Sequence, residues 1–407
     1  MPLMRVDRLR RADYRRSRWV EKILGASLAF PLFVGMVVGA VPAGADTPLR
    51  MIDPADIQDR QGRYRLLRDN RLEADRAALL GAIAHSLAYL DTPAAEVAYA
   101  TYALPEFSRD RVRRSLRRFR ELVQTTQSQA ALETAILNEF AFYQAVGNAE
   151  NGTVGFTGYF EPVYPASRVP TAEFRYPLYR RPSDLDQWPL PHPTRLALEG
   201  ADGLQSQQGP LRGLELVWLR DRLDAFLVQV QGSARLQLTS GGTLTVGYAG
   251  RTEYPYVSLG RELINDSQLP TEGLTLPAVI QYFRQLPEAL NRYIPRNNRF
   301  VFFRETAGQP ATGSLNVPVT PERSIATDKT LMPPGALALI HTDLPYPDAS
   351  GQLVPHRVSR FVLDQDTGGA IQGAGRVDIF MGTGQGAGDR AGLINTTGEW
   401  YYLLLRD

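Results

Sequence analysis

Asp364-Gln365-Asp366-Thr367-Gly368-Gly369-Ala370-Ile371-Gln372-Gly373-Ala374-Gly375-Arg376-Val377-Asp378-Ile379-Phe380-Met381-Gly382, near the C-terminus, reads as a strand ending in an acidic turn, a glycine-rich connection, and a second strand opening with an aspartate. Along Val377 to Met381 the alternation of an extended chain puts Val377, Ile379 and Met381 on one face and Asp378 with Phe380 on the other. A carboxyl group beside apolar surface, with other carboxylates near, has its charged form disfavoured and its pKa pushed upward. A proton donor for neutral pH is built this way. By residue type alone, Asp366 and Asp378 serve equally well as turn and strand-end residues.

Outward from this stretch the chain is rich in β signals. Short apolar runs separated by Gly and Pro turns follow Gly152: Leu214 to Leu219, Leu223 to Gln231, Thr243 to Tyr248, Phe300 to Arg304, Ala336 to Ile340, Phe361 to Leu363 and Trp400 to Leu405. Many short strands of this kind argue for barrels or sandwiches. Before Gly152 the period is helical. Leu72, Leu79, Leu80, Ile83, Leu87 and Leu90 mark one helix, with Asn70 and Glu73 as its expected N-terminal cap. Val112, Leu116, Phe119 and Val123 mark a second, capped near Ser108, and Leu132, Ile136, Phe140 and Tyr143 a third. The arginines of the second helix lie off its apolar stripe and read as a solvated face.

The first 45 residues read as a targeting segment: eight basic residues, the apolar run Ile23 to Val41, then Ala43-Gly44-Ala45 as a small-residue cleavage site before Asp46. The apolar run is about one membrane span long, so an uncleaved anchor is the alternative. Either way the body is expected to be exported to the periplasm or cell envelope. Setting aside the segment's eight basic and three acidic residues, from totals of 45 and 43, leaves 37 against 40, a net charge of −3. A nearly neutral body gives no footprint for nucleic acid.

There is no cysteine. Disulfides, thiol catalysis, thiolate metal sites and a lipidated N-terminal cysteine are therefore excluded. His85, His192, His341 and His356 are scattered without the spacing of a metal site. Gly382 to Gly388 lacks the register of a phosphate loop, and Ser233 sits outside any Gly-x-Ser-x-Gly elbow.

Gly313-Ser314-Leu315-Asn316-Val317-Pro318-Val319-Thr320-Pro321-Glu322-Arg323-Ser324-Ile325-Ala326-Thr327-Asp328, followed by Asp366-Thr367-Gly368 and Val377-Asp378, resembles the three-aspartate signature of the 3D domain. With Thr157-Gly158-Tyr159-Phe160-Glu161-Pro162 and Val228-Gln229-Val230-Gln231-Gly232-Ser233, it resembles the membrane-bound lytic murein transglycosylase A family from roughly Gly155 onward. The resemblance implies a mainly β fold with N-terminal helices: a double-psi β-barrel domain (residues 46–164 and 311–407) with an inserted all-β domain (165–310) and a groove between them.

It further implies an enzyme that cuts peptidoglycan between N-acetylmuramic acid and N-acetylglucosamine and forms a 1,6-anhydro sugar. Asp378 is the expected acid and base, with Asp366 and Asp328 supporting it. Tyr159, Glu161, Gln231, Ser233 and Lys329 are the expected substrate contacts, although Gln372 stands where the family pattern has a lysine. No cofactor and no metal are called for. Glycan strands are the expected partner, with cell-wall synthesis or division proteins beyond them and a monomer as the expected state. A glycoside hydrolase on a related barrel and a non-catalytic wall-binding module are the alternatives.

Overall fold

The computed structural model describes residues 47–148, 152–272 and 274–406; the expected targeting segment and the cleavage point before Asp46 lie outside them. The N-terminal part runs through β1 (Leu49–Met51), α1 (Pro54–Tyr64), α2 (Leu72–Leu90), α3 (Pro93–Ala100), α4 (Arg109–Thr125), α5 (Gln129–Glu139) and β2 (Phe140–Ala145). Asp53, Thr92, Ser108 and Ser128 cap α1, α3, α4 and α5 by accepting from backbone N–H groups of the first turn. The cap expected at Asn70 is not made: Arg71 precedes α2, and Asn70 accepts from Arg360 at 2.7 Å instead. Phe140 and Tyr143, expected on the third helix, begin β2.

Next come β3 (Val154–Glu161), β4 (Val163–Ser167), β5 (Tyr176–Tyr179), α6 (Arg195–Glu199), β6 (Glu215–Leu219), α7 (Arg222–Gln231), β7 (Ser233–Leu238), β8 (Thr243–Arg251), α8 (Leu259–Asn265), α9 (Leu276–Gln285), α10 (Leu290–Tyr293) and β9 (Val301–Glu305). The strand expected at Leu223 to Gln231 is thus a helix. Asp221 caps it by accepting from Leu223 and Asp224, and Gly232 ends it with φ 79°. Short helices accompany the strands between Val163 and Glu305, so this region is not purely β.

The C-terminal part is β10 (Ser324–Ala326), β11 (Leu337–Pro347), β12 (Leu353–Asp366), β13 (Arg376–Thr383), α11 (Gln385–Leu393) and β14 (Asn395–Leu405). Strands from both ends of the chain close one barrel, in the order β14-β11-β12-β10-β13-β3 and back to β14. β10 with β12 and β13 with β3 are parallel; the other neighbours in the barrel are antiparallel. β14 closes it by changing partners: Asn395 to Gly398 pair with β3, and Glu399 onward with β11 and β2. Gly398 stands at the change, where a Cβ would meet the His341 carbonyl oxygen at 2.1 Å, so only glycine fits this bend.

Val377, Ile379 and Met381 join the main core between the barrel and the N-terminal helices, as the alternation requires. Strands β4 to β9 form a second sheet, ordered β5-β6-β4-β7-β8-β9. A bridge from Arg180 to Phe303 brings its two edges together.

Candidate active site

Four strands line up the site by register. Ala326 of β10 lies opposite Asp366 of β12 on one side and Asp378 of β13 on the other, and Asp378 lies opposite Thr157 of β3. The aspartates therefore sit two strands apart, about 10 Å between backbones. Thr157 and Tyr159 share a face with Asp378 and Phe380, and the rings of Tyr159 and Phe380 are 5.2 Å apart. Asp378 thus lies beside aromatic surface, as its strand pattern predicts.

The three aspartates differ in how they are held. Burial pushes the Asp378 carboxyl up to about 6; the Thr157 hydroxyl and Arg376 pull it down, and Asp366 adds to the rise. Its Oδ1 has no hydrogen-bond partner among the described residues. Burial also raises Asp366, against donation from the Ser314 and Thr367 N–H groups and the Tyr159 hydroxyl, each at 2.8 Å. In Asp328, burial disfavours the charge, but the Thr330 hydroxyl (2.6 Å), the Gly373 N–H (2.8 Å) and the Thr330 N–H (3.1 Å) outweigh it, and its carboxyl lies below the usual range. Asp328 thereby staples the glycine-rich connection between β12 and β13.

A groove of about 1730 Å³ runs between the barrel and the second sheet. Asp378, Asp366, Asp328, Tyr159, Glu161, Gln231 and Ser233 all line it. Glu161 is 1 % exposed; its Oε2 accepts from Arg235 of β7 and Thr383 of β13, each at 2.7 Å, which ties the second sheet to the barrel. Gln231 makes a second tie by accepting from the Phe160 N–H at 3.0 Å.

Lys329 is not on this lining. Its ammonium donates to Thr327, to the buried Asp364 and to the Asp366 carbonyl, so its three hydrogens are used behind the acidic strand end. Thr157, Arg376, Tyr248, Arg251, Tyr256 and Arg299, none of them among the expected site residues, also line the groove. Thr157 and Arg376 lie inside the two motifs quoted from the sequence, so their positions were legible although their roles were not. Among the described residues no group of three His, Asp or Glu side chains is placed to hold a metal ion.

Residues 155–304 match the MltA specific insert domain, and residues 323–404 match the 3D domain. Membrane-bound lytic murein transglycosylase A of Escherichia coli strain K12 is 30% identical over 279 residues, covering 68% of this chain and 73% of that protein. The chain belongs to the membrane-bound lytic murein transglycosylase A family. It is therefore a peptidoglycan lytic transglycosylase by family. The Vibrio cholerae member is 33% identical over 281 residues, 68% of this chain and 72% of that one. The crystal structure of the Agrobacterium tumefaciens membrane-bound lytic murein transglycosylase shares the fold with TM-score 0.64 and 26% identity, covering 82% and 93% of the two chains. Escherichia coli MltA with bound chitohexaose shares it with TM-score 0.62 and 25% identity, covering 81% and 90%. The lytic transglycosylase A fold accounts for the closed barrel with its second sheet.

Proposed function

We propose that this chain cleaves the β-1,4 bond between N-acetylmuramic acid and N-acetylglucosamine in peptidoglycan, with Asp378 as the only catalytic carboxyl. Asp378 gives its proton to the glycosidic oxygen, and the bond from that oxygen to the anomeric carbon breaks. The 6-hydroxyl of the same N-acetylmuramic acid attacks the anomeric carbon, and its proton passes to the Asp378 carboxylate. The acid is regenerated, no water is consumed and a 1,6-anhydro ring forms. Intramolecular attack needs chiefly that the ring be held in place and water kept away.

The observation that carries this reading is the contrast among the aspartates. Of these three, Asp378 combines a pKa pushed up to about 6 with an oxygen that has no hydrogen-bond partner among the described residues. Asp366 and Asp328 spend their oxygens on the Ser314, Thr367, Thr330 and Gly373 backbone and on the Tyr159 and Thr330 hydroxyls. A hydrolase needs a second free carboxylate to activate water or attack the sugar; here neither neighbour is free. In this reading the glycan strand lies along the groove, against Tyr159, Gln231 and Ser233, as the chitohexaose bound by Escherichia coli MltA suggests, while the buried Glu161 holds the two walls together and does not touch the strand. The protein works in the periplasm or envelope.

Mass spectrometry of murein digested by the purified protein tests it. Anhydro ends are expected; reducing ends mean a hydrolase, and the absence of product means a binding module.

A further inference from the structure

The groove has two chemically different walls: the barrel side carries Asp328, Asp366 and Asp378, and the side of the second sheet carries Arg251 and Arg299. Arg251 ends β8. A register shift between Tyr248 and Gly250 places Tyr248 opposite Phe303 and Arg251 opposite Val301, two positions on one face of β9. Residues three apart in a regular strand point to opposite faces, so the bulge is what brings Arg251 round beside Tyr248. Arg299 comes from the segment just before β9 and crosses to the loop after β12, where a Cβ on Gly369 would sit 1.8 Å from its Nη1. One guanidinium group from the end of β8 and one from the segment before β9 thus arrive at the same groove.

They bring little negative charge with them. Among the described residues Arg299 has no ion pair, and Arg251 has only a 3.9 Å approach to Glu253, whose side chain is 61% exposed. Burial and the charge of Arg251 both hold the Arg299 guanidinium below its ordinary value, against Tyr248, Glu253 and Tyr256. A carboxylate between the two cations would relieve that repulsion and accept paired N–H donors. Asp328 and Asp366 cannot supply it, being tied to their own donors.

We propose that Arg251 and Arg299 bind a carboxylate attached to the substrate's N-acetylmuramic acid, and so make the groove prefer murein strands to neutral β-1,4-linked glycans. This rests on the reading that a glycan occupies the groove, and names what that groove selects. The carboxylate comes from the lactyl ether where it is free, or from the peptide stem where the lactyl group is amide-linked.

Calorimetric binding in the Asp378→Asn background, where no strand is cut, separates these sources. Three probes are used: strands with stems, amidase-stripped strands with free lactyl carboxyls, and chitohexaose. Arg251→Gln and Arg299→Gln should each weaken binding of carboxylate-bearing strands about tenfold, and of chitohexaose no more than about twofold. Arg299→Lys should recover part of the loss, because the charge stays and the fork is gone. A loss confined to stem-bearing strands assigns the stem, a loss confined to stripped strands assigns the lactyl carboxylate, and a loss on both that spares chitohexaose shows that the arginines take either one. Equal losses on all three probes overturn the proposal. Should Arg299→Gln not fold, Arg251→Gln decides, together with added salt, which should weaken binding of the charged strands and spare chitohexaose. Absence of anhydro products from the active protein would refute the transglycosylase reading and leave these binding ratios standing.

Discussion

Replacing Asp378 by Asn should stop cleavage and at the same time make the protein more stable above pH 6. The carboxyl's pKa is raised from 3.8 to about 6, chiefly by burial. A carboxyl raised in the folded state contributes stability that is fully present below about 3.8 and is lost as pH rises through about 6. The difference of roughly 2 units corresponds to roughly 3 kcal/mol at 1.36 kcal/mol per unit. The group lines an open groove and keeps some contact with water, so about 1–2 kcal/mol is the better figure. An amide of the same size carries no charge and escapes this cost. Urea unfolding of both proteins at pH 7.5 and pH 4 is the assay. The variant should unfold at higher urea at pH 7.5, and its advantage should vanish at pH 4. Turnover should fall at least about 100-fold, since the amide neither gives nor takes a proton. A variant no more stable than the wild type at pH 7.5 would show that Asp378 is not held out of water, and the argument for it as a neutral-pH acid would fall.

Arg376→Ala removes the cation that holds Asp378 down, so its pKa should rise further and the alkaline limb of the kcat/KM profile should move to higher pH. Lys329→Met leaves the Asp364 carboxylate buried without its cation and should cost about 3 kcal/mol in denaturant unfolding, with no selective effect on glycan binding. Glu161→Gln weakens the charged hydrogen bond that joins β7 to β3, and should lower stability by about 1–3 kcal/mol and loosen glycan binding measured by calorimetry.

What was legible in the sequence was local. Alternation placed Asp378 beside Phe380 because a strand's faces follow directly from its order of residues, and Ser108 marked the start of α4 because a cap acts within one turn. The helix α7 was missed although its ends were written out: Asp221 before the run and Gly232 after it are start and stop signals. The alternating Val228-Gln229-Val230-Gln231 suits a strand, but the Asp221 and Gly232 caps that bound the run select the helix. Lys329 was read from its neighbour Asp328, yet its contacts are Thr327, Asp364 and the Asp366 carbonyl. Two of these belong to β12, and no spacing within the chain reports on them.

The remaining part of the site was illegible because strand pairing makes it. Thr157 meets Asp378 through the parallel pairing of β3 with β13, and a whole second sheet is threaded between those strands in the chain. Arg299 meets the Gly369 loop only because that sheet folds back over the barrel. The ties at Glu161 and Gln231 fall where the chain leaves the barrel and where α7 ends, so the two walls of the groove are held to one another there. A groove built this way divides the labour by charge. The barrel supplies one carboxyl of tuned proton affinity, and the proposed role of the arginines opposite is to hold the substrate's own carboxylate on the other wall.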